Sequence, residues 1–159
     1  MAKAEPEGVK IVARNPKAWH QYRIDERWEA GLALQGTEVK SLRMGRATLT
    51  GAYAQAKGAE LWLYGAQIPA YPQASVMNHD PERPRKLLLH RRQIEAIAGR
   101  LDRGGATVVP LALYFKKGIA KVEIALALGK THADRREDLK KREADREVGR
   151  ELSRRRRGA

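Results

Sequence analysis

No stretch limits the fold of this chain more tightly than residues 107 to 128, TVVPLALYFKKGIAKVEIALAL. In its second half Val122, Ile124, Leu126 and Leu128 alternate with Lys121 and Glu123, the period of two that puts one face of a strand in a core and the other in water. Lys116-Lys117-Gly118 interrupts the run between Phe115 and Ile119, so two strands, 107–115 and 119–128, are predicted as an antiparallel hairpin. A chain built around such a hairpin needs further strands to cover the same core.

Those strands are legible upstream. Residues 52–57 and 61–68 flank Gly58-Ala59-Glu60, and Tyr53, Trp62 and Tyr64 supply β-favouring rings, so a second hairpin is expected. From Asn15, NPKAWHQYRIDERWEAG places His20, Tyr22, Ile24, Trp28 and Ala30 on one parity and Arg23, Asp25, Arg27 and Glu29 on the other, which reads as one long half-buried strand, with Gly31 suited to a bend. At Gly36 the period changes. Thr37 can cap a helix, Glu38 favours its first turn, Val39 and Leu42 lie three apart, and Gly45 offers a left-handed stop. That short helix carries Lys40, Arg43 and Arg46 on its polar side.

Four of the seven prolines fall in residues 69–86, so a long exposed loop is expected there. Ile94, Ile97, Ala98 and Leu101 then recur at helical spacing before Gly104-Gly105, which predicts a helix over 91–102. Residues 1–14 show no sustained period and read as a loose arm. Five or so strands broken by two helices in one chain of this size fit a small antiparallel barrel of the oligonucleotide-binding (OB) type over residues 15–129.

After Gly129 the composition shifts. Residues 130–159 hold 12 Lys and Arg against 7 Asp and Glu, with Leu139, Val148 and Leu152 the only large apolar residues. Such a tail buries too little to offset its ordering entropy and is expected to be disordered or partly helical when free. Its local preference is helical, since Glu137 with Lys141 and Asp138 with Arg142 are i,i+4 pairs.

The formal charge of +13, spread along the whole chain, points to a polyanionic partner. No apolar run approaches the roughly 20 residues of a spanning helix and no signal peptide opens the chain, so a cytosolic protein without a membrane partner is expected. There is no cysteine, and His20, His79, His90 and His132 lie too far apart for a metal-ligand spacing, so neither a metal nor another cofactor is expected. A nuclease would need His20 or His79 to converge with Asp80, Glu29 or Glu38, and nothing in the spacing brings them together. The remaining alternatives are a structural ribosomal protein and a nonspecific single-stranded RNA binder.

Laid out in this way, the chain resembles the bacterial SsrA-binding proteins, the small protein B or SmpB family. The resemblance rests on residues 15–22, EAGLALQGTEVKSLRMGRA (29–47), NHDP (78–81), RKLLLHRRQI (85–94), VPLALYFKKGIAKVEIALALGK (109–130) and DRREDLKKR (134–142). It implies an OB-type barrel that holds transfer-messenger RNA by its tRNA-like domain and escorts it to stalled ribosomes. It implies no enzymatic activity, and a tail that becomes helical in the small-subunit decoding centre and empty messenger channel. A monomer is expected.

The same resemblance assigns RNA-binding positions to Asn15, Lys17, His20, Tyr22, Glu29 and Leu88, beside the basic residues Lys40, Arg43, Arg46, Arg85 and Lys86. An acid on an RNA surface must accept hydrogen bonds from base or ribose donors or orient a neighbouring arginine, and Arg27 and Arg43 are the expected neighbours of Glu29. Leu88, central in KLLLH, reads as core that positions the basic cluster around it. In the tail, Gly129, Lys130, His132, Asp134, Arg135, Arg136, Lys140, Lys141 and Arg142 are the expected ribosome contacts. The chain departs from the family pattern at Ala133, where relatives often carry a ring; His132 is the nearest substitute.

Overall fold

The computed structural model describes residues 8–74, 77–129 and 132–157. The chain divides into two compact units, Met1–Gly129 and Lys130–Ala159, each considered by itself. The first contains β1 (Val9–Arg14), α1 (Pro16–Gln21), β2 (Tyr22–Leu32), α2 (Gly36–Arg43), β3 (Tyr53–Lys57), β4 (Glu60–Tyr64), β5 (Arg85–Leu88), α3 (Arg91–Asp102), β6 (Ala106–Lys116) and β7 (Ile119–Gly129). The second contains α4 (His132–Arg157).

The hairpin β6–β7 is the spine. Lys116 faces Ile119 across a two-residue turn whose central residues, Lys117 (φ 51°) and Gly118 (φ 79°), both take positive φ, the twist that suits right-handed strands. From this pair the sheet runs β6-β3-β4-β5-β2-β7 and returns to β6, every pairing antiparallel, so six strands form a closed ring, as the sequence leads one to expect. β1 is added on β6. The β3–β6 join rests on one residue pair, Ala54 with Val108, and α3 packs on both strands there.

Inside the ring lie Val108, Leu113, Phe115, Val122, Ile124 and Leu126 from the spine, with Ala30, Leu61, Leu63, Leu87 and Ile97 from the other elements. A bulge between Pro110 and Ala112 switches the inward parity of β6 from Val108 to Leu113. The residues displaced outward, Val109 and Leu111, join Ala125 and Ala127 beneath Ala18 of α1, so this part of the sheet is covered on both faces.

Three expectations are corrected by these elements. Residues 9–14 are a strand, not a loose arm; a register shift between Ile11 and Ala13 breaks the alternation that would have announced it. Residues 16–21 are a helix, not the start of the long strand: Pro16 occupies the first turn, where its missing N–H costs nothing, and only Ala18 is buried. β5 lies in the RKLL stretch that follows the proline loop, unannounced because its inward residues are Arg85 and Leu87, and an inward arginine spoils the apolar pattern. The helix over 91–102 is α3 residue for residue, and α2 occupies the expected place, although Gln35 rather than Thr37 caps it.

The segment expected to be disordered or partly helical forms one helix of 26 residues. Its local preference is thus expressed in full, while Leu139 and Val148 remain exposed, so packing contributes little to it.

Candidate nucleic-acid interface

The outer face of β5, β2, β7, β6 and β1 follows from the ladder register. Residues directly opposite one another share a face, so Leu88, Gly31, Lys121, Tyr114 and Ile11 form one row, and Glu29, Glu123, Ala112 and Arg14 form the next. Glu29 and Leu88, far apart in sequence, therefore present their side chains on one surface. Leu88 is 49% exposed, which corrects the expectation that it is core; its neighbour Leu87 takes that role. A side chain at Gly31 would stand 3.2 Å from the Leu88 Cβ, so the glycine lets Leu88 lie across β2.

The carboxylate of Glu29 is held by Tyr114, whose hydroxyl donates to Oε2 at 2.5 Å, and by Lys116 Nζ at 3.5 Å from the same oxygen. Its expected neighbours are replaced: Arg27 pairs with Glu123 at 3.6 Å, and Arg43 is not among its partners. The Tyr114 hydrogen bond lowers the Glu29 pKa below the ordinary carboxylate value, Lys116 and Lys121 act in the same sense, and burial opposes them. Burial and the carboxylate raise the Tyr114 pKa, so at neutral pH Tyr114 is a donor and Glu29 an ionised acceptor. Among the described residues both bonds fall on Oε2, which leaves Oε1 for a donor from outside.

Lys40, Arg43 and Arg46 are all exposed. They are so because the opposite side of α2 is pinned: Glu38, Ser41 and Leu42 are buried. Ser41 Oγ donates to the Pro69 carbonyl at 2.7 Å. His79 Nε2 donates to the Ile68 carbonyl at 2.8 Å, and its Nδ1 is hydrogen-bonded to the Thr37 hydroxyl at 2.8 Å. Glu38, 0% exposed, accepts from Gln35 N and Arg83 on Oε1 and from Arg85 Nε on Oε2. Burial raises the Glu38 pKa, but the Arg83, Gln35 and Arg85 hydrogen bonds outweigh it and hold the carboxyl below its ordinary value.

Two of the predicted RNA contacts are therefore internal. Arg85 is 1% exposed, and besides Glu38 it donates to the Ala66 and Pro81 carbonyls. Asn15 is 4% exposed; its Nδ2 donates to the Pro110 carbonyl and its backbone N–H to Leu111, which satisfies the bulge of β6 and ties α1 to the sheet. Lys17 and His20 are exposed on α1, Tyr22 is half-buried beside Ala18, and half-buried Lys86 pairs with Glu60 at 3.2 Å. Sequence reasoning missed Arg14, Trp19, Tyr114, Lys116 and Lys121; the four on strands are marked only by their place on the outer face, and Trp19 only by the packing of α1 beside Arg27. In the tail, Gly129 ends β7, His132, Asp134 and Arg135 lie in the first turn of α4, and Arg136, Lys140, Lys141 and Arg142 are exposed along it. Lys130 lies outside the described residues. Of the groups weighed for a nuclease, His79 and Glu38 are each committed to internal bonds, and among the described residues no group of three or more His, Cys, Asp or Glu that could hold a metal occurs.

Residues 12–154 match the sequence profile of the SmpB protein family. The chain belongs to the SmpB family. Among curated relatives in that family, the SsrA-binding protein of Mycobacterium tuberculosis (strain ATCC 25618 / H37Rv) is 53% identical over 158 residues, 99% of each chain. The SsrA-binding protein of Thermobifida fusca (strain YX) is 53% identical over 150 residues, 94% of each. A solved SmpB-type chain, from work described as "tmRNA-SmpB: a journey to the center of the bacterial ribosome", is 43% identical and superposes with a TM-score of 0.64 over 80% of this chain and 93% of its own. The SmpB match includes the whole Glu29–Leu88–Lys121 surface, α2 and most of α4.

Proposed function

We propose that this chain is a trans-translation factor: it binds the tRNA-like domain of transfer-messenger RNA and delivers that RNA to stalled ribosomes, where residues 130–159 enter the decoding centre and the empty messenger channel. The observation that carries this reading is the outer sheet face. It sets an ionised acceptor, Glu29, beside exposed Leu88, with Lys116 and Lys121 near it, and this combination suits a folded RNA better than a bare phosphate backbone. The family names support the choice of RNA, since the relatives are SsrA-binding proteins.

Lys40, Arg43 and Arg46 supply phosphate contacts from the rigidly mounted α2. Arg85, its donors taken up by internal bonds, positions other groups and does not touch RNA. α4 presents Arg136, Lys140, Lys141 and Arg142 to an anionic channel, whose surface holds a helix that has little to bury by itself. The protein acts in the cytoplasm as a monomer and catalyses no reaction.

Removal of residues 131–159 tests the division of labour: affinity for the tRNA-like domain is retained and peptide tagging on stalled ribosomes is lost. Tagging that survives the truncation refutes the role given to the tail. Equal affinity for bulk ribosomal RNA and for the tRNA-like domain refutes the selective escort in favour of a nonspecific binder.

A further inference from the structure

Beside Glu29 the outer sheet face is not flat. Residues of β1, α1, β2, β6 and β7 line a groove there of about 650 Å³, a size that admits a group as large as a nucleobase. Its floor is apolar, with Ile11 and Leu111, and Trp19 of α1 lines it at 46% exposure. The Arg27 guanidinium lies 5.7 Å from the indole centroid and is itself held by Glu123, so the ring is mounted by a cation–π contact.

The groove also contains a mismatch. Asn15 lines it and is buried, and its Oδ1 has no hydrogen-bond partner, although its Nδ2 is satisfied by Pro110. A buried acceptor without a donor is costly and is normally completed by a ligand or water. Glu29, with Oε1 unoccupied, lines the same groove. Two acceptors, an exposed aromatic ring and the cations Arg14 and Lys116 describe a site for something flat, rich in N–H donors and attached to an anion.

We infer that this groove takes one unstacked, amino-bearing nucleobase of the bound RNA, stacked on Trp19, with its N–H groups directed to Glu29 and Asn15. The inference rests on the proposed RNA-binding function and adds a selection rule to it: adenine, with an exocyclic amino group, fits, whereas uracil would turn carbonyl oxygens toward two acceptors. Trp19 contributes by contact with the base, Arg27 and Glu123 by positioning Trp19.

The test uses the full chain. Trp19→Ala is expected to weaken binding of the tRNA-like domain roughly 5- to 150-fold, the range for loss of one aromatic–base stack, with an unchanged salt slope because no charge is removed. Trp19→Phe keeps a ring and should retain most of the affinity. The Trp19 indole N–H signal, identified by its loss in Trp19→Phe, should shift with oligoadenylate at lower concentration than with oligouridylate. Equal affinity of Trp19→Ala and wild type overturns the groove while leaving the RNA-binding function intact; no binding by wild type overturns that function itself. Equal responses to the two oligonucleotides, or none to oligoadenylate, overturn the selection rule. A Trp19 signal moved by ribosomes but not by the tRNA-like domain overturns the RNA base as occupant and assigns the groove to a ribosomal surface.

Discussion

Glu29 and Glu38 stand nine residues apart in the same motif and share a side chain, yet the fold uses them in opposite ways. Glu38 is wholly buried and spends both oxygens on Arg83, Arg85 and the Gln35 N–H. Glu29 stands on the surface with one oxygen held by Tyr114 and Lys116 and the other open. The difference lies in the partners: two guanidiniums from a distant loop and strand close one site, while a phenol and an amine leave the other unfinished. A carboxylate in this motif is therefore left open at the surface or closed into a strut according to what the rest of the chain brings to it.

The widest separation between them should appear in stability. Glu38→Ala leaves Arg85 buried without its counter-charge, and a loss of about 3 to 5 kcal/mol is expected in denaturant unfolding. Glu29→Ala should lose less than about 1 kcal/mol, as exposed pairs do; comparable losses at the two sites would erase the distinction. Leucines 87 and 88 repeat the contrast without charge. Leu87→Ala should cost about 2 to 5 kcal/mol of stability, and Leu88→Ala within about 0.5 kcal/mol, with its effect appearing in RNA affinity instead.

In binding, the order of the glutamates reverses. Glu29→Gln removes a charged acceptor and is expected to weaken the tRNA-like domain complex by about 1.5 to 3 kcal/mol, whereas Glu38→Gln, where it folds, should bind nearly as wild type. The smallest effect is in acid. The Glu38 pKa is lowered by folding, so its contribution is complete above its ordinary value of 4.5 and disappears as pH falls through the folded value. Unfolding free energy should decline below pH 4.5 in the wild type and decline less steeply in Glu38→Gln; parallel curves would show that the pair does not set acid stability.

Much of this molecule is legible in its sequence because alternation and helical spacing report which face is apolar. β7 and α3 obey those periods, and the β6–β7 hairpin was legible in place although a bulge shifts the phase of β6. β1, α1 and β5 were not, each for a local reason: a bulge, a helix whose burial is one alanine, and an arginine turned inward. Residue roles were harder still. Glu29, Lys40, Arg43 and Arg46 are exposed as a contact surface requires, while Asn15 and Arg85 proved to be internal, because the carbonyls they satisfy come from bulges and loops that no period encodes. Tyr114 and Lys121 came into view only when the strands were in register.

The ring is fastened between β3 and β6 by a single residue pair, where its other joins are ladders of two or more. At that seam Ile97 of α3, wholly buried, supplies apolar contact where backbone bonds are few. Circular closure here thus depends on a side chain acting as a rivet, so trimming Ile97 should let amides bordering the seam exchange with solvent sooner than those between β2 and β7.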